Sequence, residues 1–362
     1  MSGDAASSAS TAPEQDDDVE AAGSPQAVRA AVADRFTALT RAVDAAAAPG
    51  LGGRPIAEVP LPGSGRTADR FRVLYELGRE DLCVARLVEG HLDAVAILDE
   101  IAGDRTAPGE RWGVWAAQPP GPGLTARESG GVWLLDGVKP YCSGAHSCTH
   151  ALVTADTADG RVLFAVRLGQ DGVRPVPGTW QAVGMAGSDT PGVAFTGVEA
   201  VPVGGVDAYL DRPGFEHGGL GVAACWLGGA RAAAAPLYAA AGKRPGDTVT
   251  AAHLGAVDTL LSSAETVLIR AAGDVDADPP DALGGARTRT LRVRALVEHV
   301  CTEVLAHTGR ATGAGPLCHD ARHARTVADL TVYVRQHHAE HDLAVLGGLA
   351  AGRQDGALGS AR

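Results

Sequence analysis

The sequence predicts an α+β protein in three consecutive parts: an N-terminal all-helical domain, a small middle β-barrel or sandwich, and a C-terminal four-helix bundle. Three observations predict it. Up to about residue 111, apolar residues recur at three- and four-residue steps, the helical period. Between Trp112 and Pro202 the texture changes to Gly, Pro, Val and Thr, with short apolar runs (VWLLDG, HALVTADTADG, RVLFAVRLGQDG, VAFTGVEAVP) set between turn signals. From Pro213 the helical period returns in four long blocks.

Taken in order, residues 1–24 read as a disordered tail of Ser, Ala, Asp and Glu without periodicity. Val32, Phe36, Leu39 and Val43 predict a helix from Pro25, and a Gly/Pro-rich linker follows from Pro49 to Gly65. Val73, Leu74, Leu77, Leu82, Leu87, Leu92, Val95 and Leu98 outline the apolar faces of one long helical stretch, closing a domain over 25–111. In the β-domain, 112–212, Asp136-Gly137 predicts a tight hairpin turn, and the chain then runs through Val138 to Tyr141. It ends there in Ser143-Gly144-Ala145, small residues that admit a planar ligand close to the backbone and offer a hydroxyl and free N–H groups. The bundle, 213–350, is predicted as Gly219–Ala241, Thr250–Val275, Leu283–Thr308 and Pro316–Leu349, with a short disordered tail over 351–362. Leu254, Val257, Leu261, Ala264, Leu268, Ala271 and Val275 keep a near-heptad spacing that suits a bundle core. Gly228-Gly229 predicts close helix packing.

Composition narrows the function. The 362 residues carry a formal charge of −12, with no Lys/Arg stripe interleaved with aromatics, which argues against nucleic acid as a partner. No apolar run is expected to reach membrane-spanning length, and the polar, acidic N-terminus is not that of a signal peptide, so a cytoplasmic protein without a membrane partner is expected. Heavy Ala, Gly and Arg usage is that of a GC-rich bacterial genome. The six cysteines contain no CxxC pair and are expected as buried thiols. His319/His323, His337/His341 and Glu303/His307 lie four apart, yet no Glu-x-x-His occurs in the bundle, so no metal site is expected.

Five segments in the right order resemble the acyl-CoA dehydrogenase superfamily. LYELGREDLCVARLVEGH is similar to a run in the family's helical domain, and WAAQPPGPGLTA to its (A/L)(T/S)EPxxGSD segment. LLDGVKPYCSGA, followed by MAGSDTPGVAFTGVEAVP, resembles LxGxKxW(I/C)(T/S)(N/G) and GxRxSxTxxVxFxxVxVP. HARTVADLTVYVRQHHAEHDLAVLG resembles the last helix with its IYEGT pattern. The resemblance implies FAD between the β-domain and the bundle, an oxidoreductase acting on CH–CH groups of an acyl-CoA or other small-molecule substrate, a homodimer or homotetramer, and a possible electron-transfer partner. It implies cofactor contacts at Trp115, Ala117, Gln118, Tyr141, Ser143, Gly313, Gly315 and Gln336, with Tyr141 in place of Trp and Ser143 as the hydroxyl against the flavin ring.

Departures bear on the reaction. The position of the family's catalytic Glu is taken by His337, with His338 beside it as the lesser candidate, and the alternative site falls near Val222, where no carboxylate stands. An imidazole could serve as general base there. Ala117 replaces the flavin-contacting Thr, Gln118 the Glu, and Ala186 the Arg; KRPGDT stands where the resemblance implies an RxxFG segment holding the FAD pyrophosphate across a subunit interface. These changes open two alternatives to dehydrogenation: a flavin-dependent monooxygenase, or a non-catalytic paralogue.

Overall fold

The structure is a computed structural model that describes residues 24–41, 51, 53–104, 106–118 and 123–352. Val43 and most of the expected tails lie outside these residues. The first helix, α1, is Pro25–Arg41, and it buries Val32, Phe36 and Leu39. The stretch expected as one helix is two, α2 (Thr67–Glu80) and α3 (Leu82–Ala102). Asp81 separates them because its carboxylate caps the second: it accepts from the Cys83 and Val84 N–H groups at 2.9 and 3.1 Å. Gly103, at φ 67°, closes α3 in the left-handed conformation that a helix C-terminus favours.

Seven strands follow: β1 (Trp112–Trp115), β2 (Thr125–Ser129), β3 (Val132–Lys139), β4 (His150–Thr157), β5 (Gly160–Arg167), β6 (Val173–Val176) and β7 (Gly192–Val203). Pairing runs β4–β2–β3–β7–β5 and returns from β5 to β4, which closes a small barrel; β1 extends β4 and β6 lies along β7. Trp115, Leu135, Phe164 and Phe195 fill its interior. The expected hairpin turn at Asp136-Gly137 is corrected. Strand β3 runs straight through it, the β2–β3 turn falls at Gly130-Gly131, and the register of β3 on β7 shifts between Leu135 and Gly137. Gly137 is therefore a bulge residue: at φ 125°, a Cβ there would lie 2.9 Å from the Gly123 carbonyl oxygen.

After the short α4 (Ala208–Asp211) come α5 (Pro213–Ala233), α6 (Ala235–Lys243), α7 (Thr248–Ala277), α8 (Ala286–Thr312), α9 (Gly315–His319), α10 (Ala321–Tyr333) and α11 (Glu340–Ala351). The last expected block is thus broken at His319–Asp320 and again after Tyr333, where a 3-10 turn, Val334–Gln336, leads into extended backbone. The apolar stretch 213–243 is long enough to cross a membrane, contrary to expectation, but 78% of its most apolar window is buried inside the protein. Leu220, Cys225, Trp226 and Leu227 of α5 join α1, α2, α3, α7, α8 and α10 in one continuous core.

Helices α2 and α5 touch backbone to backbone. A Cβ at Gly228 would lie 2.0 Å from the Tyr75 carbonyl oxygen, and one at Gly78 would lie 2.2 Å from that of Cys225. No side-chain adjustment relieves either contact, so the two backbones would have to separate. Gly228→Ala is therefore expected to destabilise the fold by about 3 kcal/mol in urea denaturation. Gly242→Ala, with no atom within 4 Å of the added carbon, is expected to be neutral or stabilising; equal midpoints for the two variants would contradict the close crossing.

Candidate active site

Two loops of the barrel build the site together. Beyond β3, Tyr141 takes φ 56° and turns its ring outward, 57% exposed. The chain then ladders onto the loop before β7: the Cys142 N–H donates to the Pro191 carbonyl (2.9 Å), Gly144 to Ser188 (2.9 Å) and Ala145 to Asp189 (3.2 Å). The N–H groups expected to be free for a ligand at Gly144 and Ala145 are thus committed to this ladder. Trp115, 1% exposed in the barrel core, donates its indole N–H to the Ser143 carbonyl at 3.0 Å, so it supports the site from beneath. Lys139, buried in the barrel wall, donates to the Thr154 carbonyl and hydroxyl (2.8 and 2.7 Å) and ties β3 to β4 just before the loop; burial lowers its pKa to about 8.

The ladder brings hydroxyls together. Ser188 Oγ donates to the Met185 carbonyl (2.8 Å) and lies 2.8 Å from Thr190 Oγ1, which donates to Ser143 Oγ at 3.1 Å. From α3, Arg86 Nε–H donates to the same Ser143 Oγ at 3.3 Å. One turn along, Glu89 holds the guanidinium by a 2.5 Å contact to Nη1, and the two side chains are 16% and 6% exposed. Burial opposes the charge on Arg86, but the Glu89 carboxylate more than offsets it, so Arg86 stays cationic. Burial also raises Glu89 above the ordinary carboxylate range, against the pull of Arg86.

The helices close the other side. Asp329 of α10, 2% exposed, accepts from the Met185 N–H at 2.5 Å, and its second oxygen lies 3.7 Å from the Cys83 thiol. Met185 sits at φ 59°, so this hydrogen bond holds a left-handed residue at the start of the Ala186–Ser188 turn. One turn further along α10, Tyr333 is 2% exposed, and its hydroxyl lies beside the Cys225 thiol with Glu89 and Arg86 near.

His337 and His338 are not on a helix, contrary to expectation. They follow the 3-10 turn, with His337 extended (φ −77°, ψ 125°) and Ala339 at φ 46°. His337 is buried: its Nδ1 accepts from the Ala339 N–H (3.2 Å), which leaves the proton on Nε2, 3.8 Å from Asp342. Burial pushes the His337 pKa down. His338 is exposed and pairs with Asp342 at 3.4 Å. Arg294 donates to the Gln336 carbonyl (2.9 Å) and stacks 4.6 Å over Trp226, which meets Tyr333 edge-on at 6.2 Å. Arg294, Trp226 and Tyr333 thus connect the segment before His337 to the side chains packed near Glu89 and Arg86. Ala117 and Gln118 are exposed beyond β1, with Gln118 reaching Asp156 at 3.5 Å.

A second feature lies at the far end of the helices. A cleft of about 1040 Å³ is lined by Arg79, Arg231, Lys243, Arg244 and Arg322, with Gly315 at its edge; Gly313 is the C-cap of α8 beside it, at φ 66°. His323 also lines it, buried, its Nδ1 without a partner among the described residues. Of the expected cofactor contacts, the structure gathers Trp115, Tyr141 and Ser143 at the barrel loop, and Gly313 and Gly315 at this cleft. Arg86, Glu89, Thr190, Asp329 and Tyr333 were not anticipated. The signal available for the first two was an Arg–Glu pair, three apart, inside the buried apolar run of α3.

No protein-family model matches the sequence, and no curated relative is found by sequence. The fold is matched by solved structures. KijD3 in complex with FMN and dTDP-3-amino-2,3,6-trideoxy-4-keto-3-methyl-D-glucose aligns with a TM-score of 0.73 at 19% identity over 94% of each chain. TdsC from Paenibacillus sp. A11-2 with FMN and indole aligns at 0.69 and 18%, over 90% of this chain and 96% of that one. Butyryl-CoA dehydrogenase from Megasphaera elsdenii aligns at 0.69 and 16%, over 90% of both. The chain has the acyl-CoA dehydrogenase fold shared by these flavoproteins.

The Asp329 contact yields a test by pH. Burial, opposed by the Met185 hydrogen bond, raises its folded pKa from 3.8 to about 6. The folded state therefore holds the proton more tightly than the unfolded state between these values, and stability falls as pH rises across that window. Asp329→Asn, which keeps an acceptor for the Met185 N–H, is expected to remove this slope, on the order of 2 kcal/mol across the window. Parallel stability–pH curves for the two proteins from pH 4 to 6.5 would contradict the assignment.

Proposed function

We propose that this chain is a flavin-dependent oxidoreductase that uses the acyl-CoA dehydrogenase fold to oxygenate a small molecule that is not an acyl thioester. One observation carries the choice: among the described residues, the candidate bases around the Ser143 centre are already engaged. Desaturation needs a group that removes an α-proton. Glu89 is held by Arg86, Asp329 by the Met185 N–H, Asp189 by the His146 N–H and ring nitrogen (2.9 Å each), and His337 by the Ala339 N–H. Oxygenation makes no such demand. It is supported by the likeness to TdsC, described as a dibenzothiophene monooxygenase. The rival reading, an acyl-CoA dehydrogenase, rests on the same fold and on butyryl-CoA dehydrogenase.

The residues present fit a flavin. Ser143 offers a hydroxyl at a loop of small residues, Tyr141 an exposed ring beside it, and the Arg86 cation lies behind the hydroxyl. Bound there, a flavin supplies two-electron redox chemistry, and once reduced it can activate dioxygen. The chain's own part is to orient the ring through Ser143, to keep charge at Arg86, and to enclose the reacting face with Tyr333 and Trp226. In the oxygenase reading reducing equivalents come from an electron-transfer partner.

The basic cleft supports FAD over FMN. The resemblance implies a Gly turn at Gly313–Gly315 near the adenine half of the cofactor and, across a subunit interface, an RxxFG segment on the pyrophosphate; that segment is missing here, and the cations of Lys243 and Arg244 stand in its place. Five cations against the carboxylates of Glu80 and Asp320 leave that cleft net positive, which suits a pyrophosphate. This reading includes a homodimer or homotetramer.

Two measurements test the proposal. In anaerobic titration with a panel of acyl-CoAs, the flavin-loaded protein is expected to keep its oxidised visible spectrum; bleaching by any acyl-CoA would establish the dehydrogenase instead. In reconstitution, FAD is expected to bind at least about tenfold more tightly than FMN, with Lys243→Ala/Arg244→Ala removing most of the difference, about 1.4 kcal/mol. Equal affinities in the wild-type protein would remove the cleft from cofactor binding.

A further inference from the structure

We propose that Arg86 and Thr190 are positioning residues that fix the Ser143 hydroxyl as a hydrogen-bond donor into the site, with a permanent cation behind it that favours reduced flavin. The inference rests on the flavin reading above and adds what that reading leaves open: which way the Ser143 proton points, and what charge it carries forward.

The argument is one of lone pairs. A serine hydroxyl has two acceptor positions and one proton. At Ser143 both acceptor positions are filled, one by Arg86 Nε–H at 3.3 Å and the other by the Thr190 hydroxyl at 3.1 Å. The geometry of the second contact admits Thr190 as donor. Ser188 sends its own proton to the Met185 carbonyl, so the chain of hydroxyls is anchored at its far end. The Ser143 proton has no acceptor among the described residues, and the only role left to it is donation outward. The Thr190 proton has a second acceptor in the Ser188 carbonyl at 3.3 Å, longer than its 3.1 Å contact to Ser143, so the fixed element is Arg86: turning the Ser143 proton inward would strand the Arg86 Nε–H.

Arg86 adds charge to direction. It is fixed twice, by Glu89 at Nη1 and by Ser143 at Nε, in a site where it is 16% exposed. Arg70 and Asp93 are the other charged groups acting on the Glu89 side, while Arg212 is engaged by Asp93 (3.6 Å) and Glu100 (2.7 Å). A hydrogen bond backed by a charged donor is stronger than a neutral one, and it gains most when the acceptor becomes negative. Reduction of a flavin adds negative charge to the ring. Ser143, polarised by Arg86, therefore binds the reduced state better than the oxidised state.

The test uses the full-length protein loaded with FAD, with the visible spectrum and the two-electron midpoint potential as readouts. Arg86→Met is expected to weaken binding of reduced relative to oxidised flavin about tenfold, a fall of about 30 mV in midpoint potential. Thr190→Val, which frees one lone pair on Ser143, is expected to shift the visible bands and lower the potential by a smaller amount; Thr190→Ser should restore both. Because Arg86→Met leaves Glu89 buried and unpaired, Arg86→Met/Glu89→Gln is measured alongside it and is expected to show the same fall. Folded, FAD-loaded variants that keep the wild-type spectrum and potential would overturn the proposal while leaving the flavin reading intact. A wild-type protein that takes up neither FAD nor FMN would overturn both.

Discussion

The hydrogen bond from the Met185 N–H to Asp329 joins the barrel to the helices at the point on which the site depends. Met185 is left-handed, and the turn after it is closed at its carbonyl by the Ser188 N–H and hydroxyl, while its N–H needs a partner from outside. Asp329 supplies that partner from α10, at 2.5 Å and out of water. Once the turn is held, Ser188, Asp189 and Pro191 present their carbonyls in a row, and the Cys142, Gly144 and Ala145 N–H groups dock on them. Only then does Ser143 face Thr190 on one side and Arg86 of α3 on the other. The cost is a buried carboxylate whose pKa rises to about 6, accepted at a place where geometry matters more than stability.

The glycine crossing of α2 on α5 sets a second distance. With Gly78 against Cys225 and Gly228 against Tyr75, the two backbones approach as closely as carbonyl oxygens allow. That closeness, set by Gly228 of α5 itself and Gly78 of the adjoining α2, fixes where Trp226 and Cys225 meet Tyr333. The Arg86–Glu89 pair lies near Tyr333. Buried ion pairs recover little more than their desolvation cost, and apolar residues of the same size usually stabilise a core as well. Stability thus gives a weak reason for this pair on α3, whereas a cation one hydrogen bond behind Ser143 gives a specific one.

Much of the architecture was legible because it is written in periodicity. Helical steps, the run of short strands and the return of helical steps appear in the right order along the chain, and Gly228-Gly229 announced a close packing that is there. Two misreadings have one cause: a local signal was overruled by tertiary context. Asp136-Gly137 carries the strongest short turn signal in the barrel, yet strand β3 needs a residue at φ 125° where it passes Gly123, and the glycine serves as a bulge. The apolar pattern beyond Tyr333 reads as helix, yet the chain breaks there because His337 and Ala339 close a local turn of their own through His337 Nδ1. Ser143 was found by its motif. Its partners were not, because Thr190 and Arg86 meet it from 47 and 57 residues away and nothing local marks them.

These partners change how the chemistry is read. A resemblance that stops at the barrel loop and the last helix leaves a missing glutamate and a histidine in its place, which invites a search for a substitute base. The structure holds that histidine in a local turn with Ala339 and places two donors against Ser143, the Arg86 guanidinium and the Thr190 hydroxyl, with Glu89 behind the first and the His146–Asp189 pair on the adjoining loops. A centre furnished with donors and a fixed positive charge stabilises negative charge as it develops. Reduced flavin is such negative charge, and donors at Ser143 would favour it whether the substrate reduces the flavin or dioxygen reoxidises it. Under the proposed reading, oxygenation is therefore separated from desaturation by the engagement of the candidate bases, and the groups around Ser143 bear on the redox state of the cofactor in either case.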